Sequence, residues 1–188
     1  MTEAVPFDFD VETLIIGAGA AGLVAALAAR EAGQDVLVIE ADAVPSGSTA
    51  LSAGLIPAAG TRFQRAVGIA DDAAVFATDI QTKAKGENDP ALVAAMAETS
   101  SEVIEWLVDQ HGLPFSLVTD FDYPGHQRRR MHGLPSRSGR ELIDALRAAA
   151  EQAGFTGLGL ARRFLHLDRR TVPAIWFYGR SADVWVNS

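Results

Sequence analysis

The chain has 188 residues, of which 48% are hydrophobic and 21% are charged, a composition typical of a folded protein rather than a disordered tail. Its 24 Asp and Glu outnumber its 16 Lys and Arg and give a formal net charge of −8, which argues against a general nucleic-acid binder. It contains no Cys, so a disulfide framework, a thiolate nucleophile and a Cys-ligated metal site are excluded.

The ends of the chain differ in composition. The first ten residues are acidic and lack the apolar core of a secretory signal, and no apolar run approaches the roughly 18 residues of a membrane span. A cytoplasmic location is therefore expected. Residues 1–157 carry 11 basic and 22 acidic side chains, whereas residues 158–188 carry five Arg and two Asp. We predict a main domain over 1–157 and an atypical C-terminal segment over 158–188.

The N-terminal part of the chain predicts a strand, a helix and a second strand. Residues 11–16 and 35–40 are short β-branched runs typical of buried strands. Residues 20–32 are rich in Ala and Leu and predict a helix that ends before Gly33. A strand, a helix and a strand within about 30 residues form a βαβ unit, and its crossover implies two parallel strands.

Further along the chain, helical periodicity dominates. Three helices are predicted, over residues 71–85, 90–112 and 140–154. Asp89 is the expected N-cap of the long second helix, and the apolar stripe of that helix includes Leu92 and Met96. The stretches 45–60 and 113–139 are punctuated by Gly and Pro and are predicted to be mainly loop, the first with one short helical turn.

The turn between the first strand and the first helix reads Gly17-Ala18-Gly19-Ala20-Ala21-Gly22, a G-x-G-x-x-G pattern. Glu40 stands at the end of the second strand, 18 residues after Gly22, where a ribose-binding acid is expected. Gly17 permits the tight turn, Gly19 the approach of a pyrophosphate, and Gly22 close packing of the helix. The helix N-terminus favours phosphates, and Glu40 accepts hydrogen bonds from ribose hydroxyls and disfavours a 2′-phosphate. The pattern predicts a dinucleotide other than NADP, with a ligand-free glycine turn as the alternative.

The segment after the second strand reads Ser46-Gly47-Ser48-Thr49-Ala50-Leu51-Ser52-Ala53-Gly54, here called the Ser/Gly loop. It resembles the G-G-x-T-x-x-S-G-G segment of flavoproteins of the fumarate reductase and succinate dehydrogenase family, which runs under the flavin. The resemblance continues through residues 87–93, 101–107 and 138–146 and covers roughly residues 11–155. Ser46 and Ala53 replace glycines common in the family, and Ala41 replaces a basic residue that usually follows the ribose acid.

The resemblance implies an α/β fold, a Rossmann-like FAD-binding domain with additional helices, incomplete relative to its family. Gly47 and Gly54 would let the backbone approach the flavin ring, and three hydroxyl groups would act as donors. The predicted cofactor-binding residues are Gly17, Ala18, Gly19, Ala20, Ala21, Gly22, Glu40, Ala41, Gly47, Ser48, Thr49, Ser52, Ala53 and Gly54. For the loop, a solvated Gly/Ser linker is the alternative.

The resemblance also implies an oxidoreductase that moves a hydride between flavin N5 and an activated carbon–carbon bond. The implied substrate is a small molecule, either an unsaturated carboxylate or a ketosteroid. The family's substrate-binding Arg and His lie in later parts of longer proteins, so no catalytic residue is assigned here. A truncated or frame-shifted FAD-binding fragment that does not turn over is the alternative, and no electron donor is indicated.

One basic cluster, residues 126–132 with Arg137 and Arg140, stands out in this acidic chain. We interpret it as a solvated loop balanced by acidic neighbours, with attraction of a phosphate or carboxylate as the alternative. His126 and His132 are six residues apart without a Cys or paired carboxylate, so no metal site is predicted.

Overall fold

The computed structural model describes residues 11–40, 42 and 44–155. The chain divides into two compact units, of which the second is Thr49–Ala145. The described part of the first unit comprises residues 11–40, 42, 44–48 and 146–155. The predicted segment 158–188 lies outside the described residues, so the main domain over 1–157 and its boundary stay predictions.

The first unit contains the predicted βαβ arrangement. It consists of strand β1 (Thr13–Ile16), helix α1 (Ala20–Glu31) and strand β2 (Val36–Ile39). The strands are parallel and pair from Thr13 opposite Val36 to Ile16 opposite Ile39. Helix α1 packs on both strands and buries Leu23, Ala26 and Leu27. The strand, helix and parallel crossover expected from the sequence are confirmed.

Strand β1 is half-buried, although the sequence predicts a buried strand. Burial is intermediate along most of β1, and Ile16 is 53% exposed. In β2, Val36 and Val38 are buried while Leu37 and Ile39 are only partly buried. Such alternation means that one face of the strand pair is covered. A continuous apolar run predicts a strand that is covered on both faces. In the described part of this unit, α1 covers only one face of the β1–β2 pair.

The following elements are mostly short. They are α2 (Gly47–Leu51), β3 (Ile56–Pro57), α3 (Arg62–Ala66), α4 (Ala73–Lys83), α5 (Pro90–Asp109), β4 (Ser116–Leu117), β5 (Met131–Gly133) and α6 (Gly139–Gln152). Strand β5 lies between β3 and β4 and pairs antiparallel with both. Helix α2 is the predicted short turn, and α4, α5 and α6 are the three predicted helices.

Helix α5 begins as predicted but buries a different stripe. The Asp89 carboxylate accepts a hydrogen bond from the N–H of Ala91, and Pro90 occupies the first turn. The buried side chains are Val93, Ala97, Ile104 and Leu107. The prediction that Leu92 and Met96 belong to the buried stripe is wrong, since they are 71% and 49% exposed. Leu92 and Met96 each stand one position before a residue of the buried stripe, Val93 and Ala97, so they lie about 100° round the helix from the face that packs on α4.

Four elements are not predicted by the sequence. Strand β3 lies inside the stretch 45–60 and strands β4 and β5 lie inside the stretch 113–139, both predicted to be mainly loop, and helix α3 was not expected. The signal for α3 is local: Thr61 and Gln64 form a capping box at its N-terminus. For β5 no local signal exists, since Met131, His132 and Gly133 do not favour a strand, yet all three are buried.

Candidate functional site

The glycine-rich turn joins β1 to α1 in the geometry that the pattern requires. Gly17 has a φ of +102°, which favours glycine, and its N–H donates to the carbonyl of Ile39 at 2.7 Å. A Cβ on Gly22 would overlap the carbonyl oxygen of Gly17 and lie 3.3 Å from Cγ2 of Ile15. Only glycine at position 22 therefore lets α1 lie this close to the strand end, as the sequence predicts.

Glu40 reaches the turn from the end of β2. Its Oε2 accepts a hydrogen bond from the N–H of Ala18 at 2.7 Å, and its Oε1 accepts one from Asp42 at 3.0 Å. A carboxylate offers about four acceptor positions, so ribose hydroxyls can still donate to it. The carboxylate thus holds the turn to β2 and keeps acceptor positions for the ribose hydroxyls that the sequence predicts it to bind.

The N-terminus of α1 has no side-chain cap. Gly19 is its N-cap residue, and the first helical turn contains no acidic residue. By contrast, the side-chain oxygens of Thr61, Asp72 and Asp89 cap α3, α4 and α5. The first intrahelical bond of α1 runs from Leu23 to Gly19, so the N–H groups of Ala21 and Gly22 have no acceptor within the helix. An anion such as a pyrophosphate fits this terminus, because the helix dipole and free N–H groups both favour negative charge.

The other predicted residues of the turn differ in exposure. Ala18 is buried, Ala20 is half-buried and Ala21 is exposed. Gly19 has extended backbone angles, with φ −70° and ψ 177°. Ala41 lies outside the described residues.

The Ser/Gly loop forms the short helix α2 and a tight turn after it. Gly47, Ser48, Ser52 and Ala53 are exposed, whereas Gly54 is buried. The Ser52 hydroxyl donates to the carbonyl of Thr49 at 2.8 Å and accepts from the N–H of Gly54 at 3.0 Å. Its single hydrogen is therefore used within the loop. Ala53 has no positive φ, so the replacement of a family glycine there costs no backbone strain.

Two glycines hold the end of this loop against the start of α6. Gly54 has a φ of +61°, and a Cβ on it would lie 2.5 Å from the carbonyl oxygen of Ser138. A Cβ on Gly139 would overlap the carbonyl oxygen of Thr49, and the Gly139 N–H donates to the carbonyl of Ser52 at 2.9 Å. Gly139 was not among the predicted site residues. Two sequence signals mark it: it stands directly before a predicted helix, and it lies in the segment 138–146 that resembles the flavoprotein family.

Arg130 lies at the centre of a buried ion-pair network in the second unit. Its Nε and Nη2 donate to the two carboxylate oxygens of Asp71, both at 2.9 Å, and Nη1 donates to Asp79 at 2.5 Å. The guanidinium lies 4.7 Å from the ring centroid of Phe76, and the side chain is fully buried. Burial alone would raise the pKa of Asp79, but N–H groups of Gln127 and the Arg130 guanidinium outweigh it and lower that pKa.

The remaining arginines of the basic cluster lie nearer the solvent. Their partners are Asp122 for Arg129, Asp120 for Arg137, and the carbonyl oxygen of Ala70 for Arg128. The interpretation as a solvated loop with acidic neighbours agrees with these contacts, but it is wrong for Arg130. Attraction of a phosphate or carboxylate ligand gains no support at Arg129, Arg130 and Arg137, because carboxylates of the chain itself hold these three arginines.

His132 belongs to the same buried region. Its Nδ1 lies 2.9 Å from the carbonyl oxygen of Arg130, and its Nε2 lies 2.9 Å from the hydroxyl of Thr61. A carbonyl only accepts, so Nδ1 carries the hydrogen and Nε2 accepts from Thr61. Burial lowers the pKa of His132, so the ring is held neutral. Across the described residues, no group of three or more His, Asp or Glu side chains is placed to hold a metal ion.

These features define a dinucleotide-binding βαβ unit. Comparison with known proteins identifies the family of dinucleotide-binding proteins to which the chain belongs. A family model described as an FAD binding domain matches residues 12–167, and the chain belongs to that family. It is the FAD-binding domain of a flavoprotein of the fumarate reductase and succinate dehydrogenase type, and the predictions of FAD and of the Rossmann-like α/β fold are confirmed.

Individual relatives agree with this assignment. A probable fumarate reductase, Ifc3, of Shewanella frigidimarina is 35% identical over 143 residues, which are 76% of this chain and 24% of the relative. The open conformation of a flavocytochrome c3 fumarate reductase is 34% identical with a TM-score of 0.69, covering 77% of this chain and 26% of that one. A 3-ketosteroid-Δ4-(5α)-dehydrogenase from Rhodococcus jostii RHA1 is 26% identical with a TM-score of 0.67, covering 81% and 38%.

The chain thus spans about a quarter of the length of the fumarate reductase relatives that it matches. Within the described residues, no helix is both long enough and apolar enough to cross a membrane.

Proposed function

We propose that the first unit binds the ADP half of FAD. The observation that carries this proposal is the uncapped N-terminus of α1 directly beside the Glu40 carboxylate. Ala18, Gly19, Ala20, Ala21 and Gly22 present backbone to the pyrophosphate, with Gly17 making the turn. Glu40 accepts the ribose hydroxyls, and its negative charge opposes a 2′-phosphate. Ala41 follows Glu40 and completes the proposed set.

We further propose that the Ser/Gly loop contacts the isoalloxazine ring. The exposure of Gly47, Ser48 and Ala53 supports this proposal, because backbone and small side chains there can meet a flat ligand. Ser48 and Thr49 supply hydroxyl groups. Ser52, whose hydrogen is used by Thr49, stabilises the turn and can only accept further hydrogen bonds. Gly54 is proposed as the buried end of the contact.

For the protein that contains this domain we propose an oxidoreductase activity. When bound, FAD supplies hydride transfer between its N5 and an activated carbon–carbon bond. The fumarate reductase relatives favour an unsaturated small-molecule carboxylate as substrate, and the ketosteroid dehydrogenase supports a ketosteroid as the second candidate. The cytoplasmic location stays a prediction.

No residue is proposed as catalytic. The buried or paired state of Arg129, Arg130 and Arg137 argues against a substrate clamp in this part of the chain. We therefore propose that the chain over 1–188 binds FAD but does not complete a catalytic cycle. The alternative to the oxidoreductase activity is thus a catalytically incomplete FAD-binding fragment.

Isothermal titration of the purified chain with FAD, FMN and NADP tests the cofactor site. FMN lacks the adenosine and the pyrophosphate, and NADP carries the 2′-phosphate that Glu40 opposes. We expect one FAD per chain and at least about tenfold weaker binding of both other nucleotides, the loss of one hydrogen bond to a charged group being enough for that ratio. FMN binding as tight as FAD binding would show that the turn and Glu40 do not hold the dinucleotide.

A further inference from the structure

The contact between the Ser/Gly loop and the start of α6 is made by backbone on both sides. The N–H of Gly139 donates to the carbonyl of Ser52, and the carbonyl of Ser138 lies against Gly54. A Cβ at position 139 would overlap the carbonyl oxygen of Thr49 and lie 2.7 Å from the hydroxyl oxygen of Ser52. No side chain fits between the two segments.

Position 139 requires glycine because a side chain would clash with the loop, and not because its backbone angles favour glycine. Gly139 is not among the glycines with positive φ, so its backbone angles suit any residue. An alanine there would start α6 without strain in its own backbone, and the added methyl group would act only on the loop. Gly54, by contrast, combines a positive φ with a close neighbour, so its substitution changes two things at once.

The start of α6 is the firmer side of this contact. The Ser138 hydroxyl accepts the N–H of Glu141, and the Glu141 carboxylate accepts both the N–H and the hydroxyl of Ser136. Leu142 and Ile143 are buried one turn later. Helix α2 buries no residue, and Leu51 within it is 89% exposed. An added methyl group at position 139 would therefore displace the loop rather than α6.

We propose that Gly139 is a positioning residue for FAD: its missing side chain fixes the Thr49–Ser52 backbone where it meets the flavin ring. The inference rests on the proposed contact between the Ser/Gly loop and the flavin. Gly139 itself touches no ligand in this proposal. Its effect is specific to the flavin half of the cofactor, because ADP occupies the glycine-rich turn of the first unit and has no flavin.

The test compares wild type, Gly139→Ala and a control, Gly133→Ala, in the 1–188 chain. Gly133 also lacks a positive φ, but its added Cβ would meet side chains and no backbone: the flexible end of Leu55 at 2.7 Å, and Arg137 and Val118 at ordinary contact distances of 3.6 and 3.8 Å. FAD and ADP affinities are measured by titration, the visible spectrum of bound flavin is recorded, and thermal unfolding reports the fold. We expect Gly139→Ala to weaken FAD roughly five- to hundredfold, the usual range for overpacking, and to alter the flavin spectrum. ADP affinity should stay unchanged, and Gly133→Ala should bind both ligands as wild type does.

A folded Gly139→Ala variant with wild-type FAD affinity and spectrum would overturn the proposal, as would an equal loss of FAD and ADP affinity. If the variant does not fold, amide exchange in the wild-type protein decides. A ligand that binds only when the Gly139 N–H is hydrogen-bonded to the Ser52 carbonyl slows exchange of that N–H, so FAD should slow it and ADP should not. Equal exchange with the two ligands would refute the positioning role. Failure of wild type to bind FAD at all would instead refute the proposed function, and this inference with it.

Discussion

The Glu40 carboxylate accepts a hydrogen bond from the backbone N–H of Ala18 at 2.7 Å. The acid that the sequence predicts to bind a ribose therefore also has a structural role: it holds the glycine-rich turn against the end of β2. A second bond to the N–H of Asp42 fixes the same carboxylate from the other side. The proposed ribose recognition and the observed turn geometry thus depend on one side chain.

This double role predicts a graded response to substitution. Glu40→Ala removes both the turn contact and the ribose acceptor and should weaken FAD about tenfold to a hundredfold, the effect of roughly 1.5–3 kcal/mol from hydrogen bonds to a charged group. Glu40→Gln keeps one oxygen for Ala18 and should lose less. Fluorescence titration with FAD measures both variants. Unchanged affinity in Glu40→Ala would remove Glu40 from the site.

Gly19→Val tests the approach of the pyrophosphate separately from folding. The backbone of Gly19, at φ −70° and ψ 177°, suits a β-branched residue, so the variant should fold. Its side chain would stand at the mouth of the uncapped helix terminus and should abolish measurable FAD binding. Ala25→Val places the same bulk on an exposed face of α1 and serves as the control. Retention of FAD affinity by a folded Gly19→Val protein would contradict the proposed pyrophosphate site.

The buried Arg130 network predicts a large loss of stability on substitution. Arg130→Met keeps much of the side-chain volume but leaves the carboxylates of Asp71 and Asp79 without their cation. We expect the free energy of unfolding to fall by about 3–5 kcal/mol, measured by urea denaturation. Arg129→Met, which breaks the exposed pair with Asp122, should leave it nearly unchanged. An equal loss of the free energy of unfolding in the two variants would show that burial does not make the Arg130 ion pairs more important for stability than the exposed Arg129 pair.

Protonation of His132 should destabilise the fold as pH falls. Burial lowers the pKa of His132 below its ordinary value near 6.5, so below that pH the unfolded chain binds the proton more readily than the folded one. The free energy of unfolding should therefore be higher at about pH 7.5 than at about pH 5.5. His132→Asn should reduce this difference without abolishing it, because burial also lowers the pKa of His126. A pH profile that the substitution leaves unaltered would exclude His132 as a contributor.

The 1–188 chain should show little or no turnover even when FAD is bound. Three arginines of the basic cluster, Arg129, Arg130 and Arg137, are held by aspartates of the chain itself and are not available to clamp a carboxylate substrate. Anaerobic assays with a reduced dye as donor, and with fumarate or a 3-ketosteroid as acceptor, measure the rate, and the flavin spectrum confirms that the cofactor is present. Turnover above about 1 per second would show that the chain is catalytically competent.

Features encoded within a few residues were predictable from the sequence. The period of apolar residues predicts β1, β2, α1 and the three longer helices, and the glycine spacing with Glu40 predicts the geometry of the turn that we propose as the dinucleotide site. The buried state of Arg130 could not be predicted, because its partners Asp71 and Asp79 lie 59 and 51 residues away. The requirement for glycine at position 139 was not predictable for the same reason, because the Thr49 carbonyl that excludes a side chain there belongs to a distant segment of the chain.

The buried ion-pair network of Arg130, Asp71 and Asp79 also constrains which residues related domains can have at these three positions. A chain that loses the arginine keeps two shielded carboxylates, and a chain that loses either aspartate keeps a shielded cation with half its partners. Replacement of all three by apolar residues of similar volume avoids both states and can match the original stability. Positions 71, 79 and 130 are therefore expected to change together among homologous domains, as a set of three and rarely one at a time.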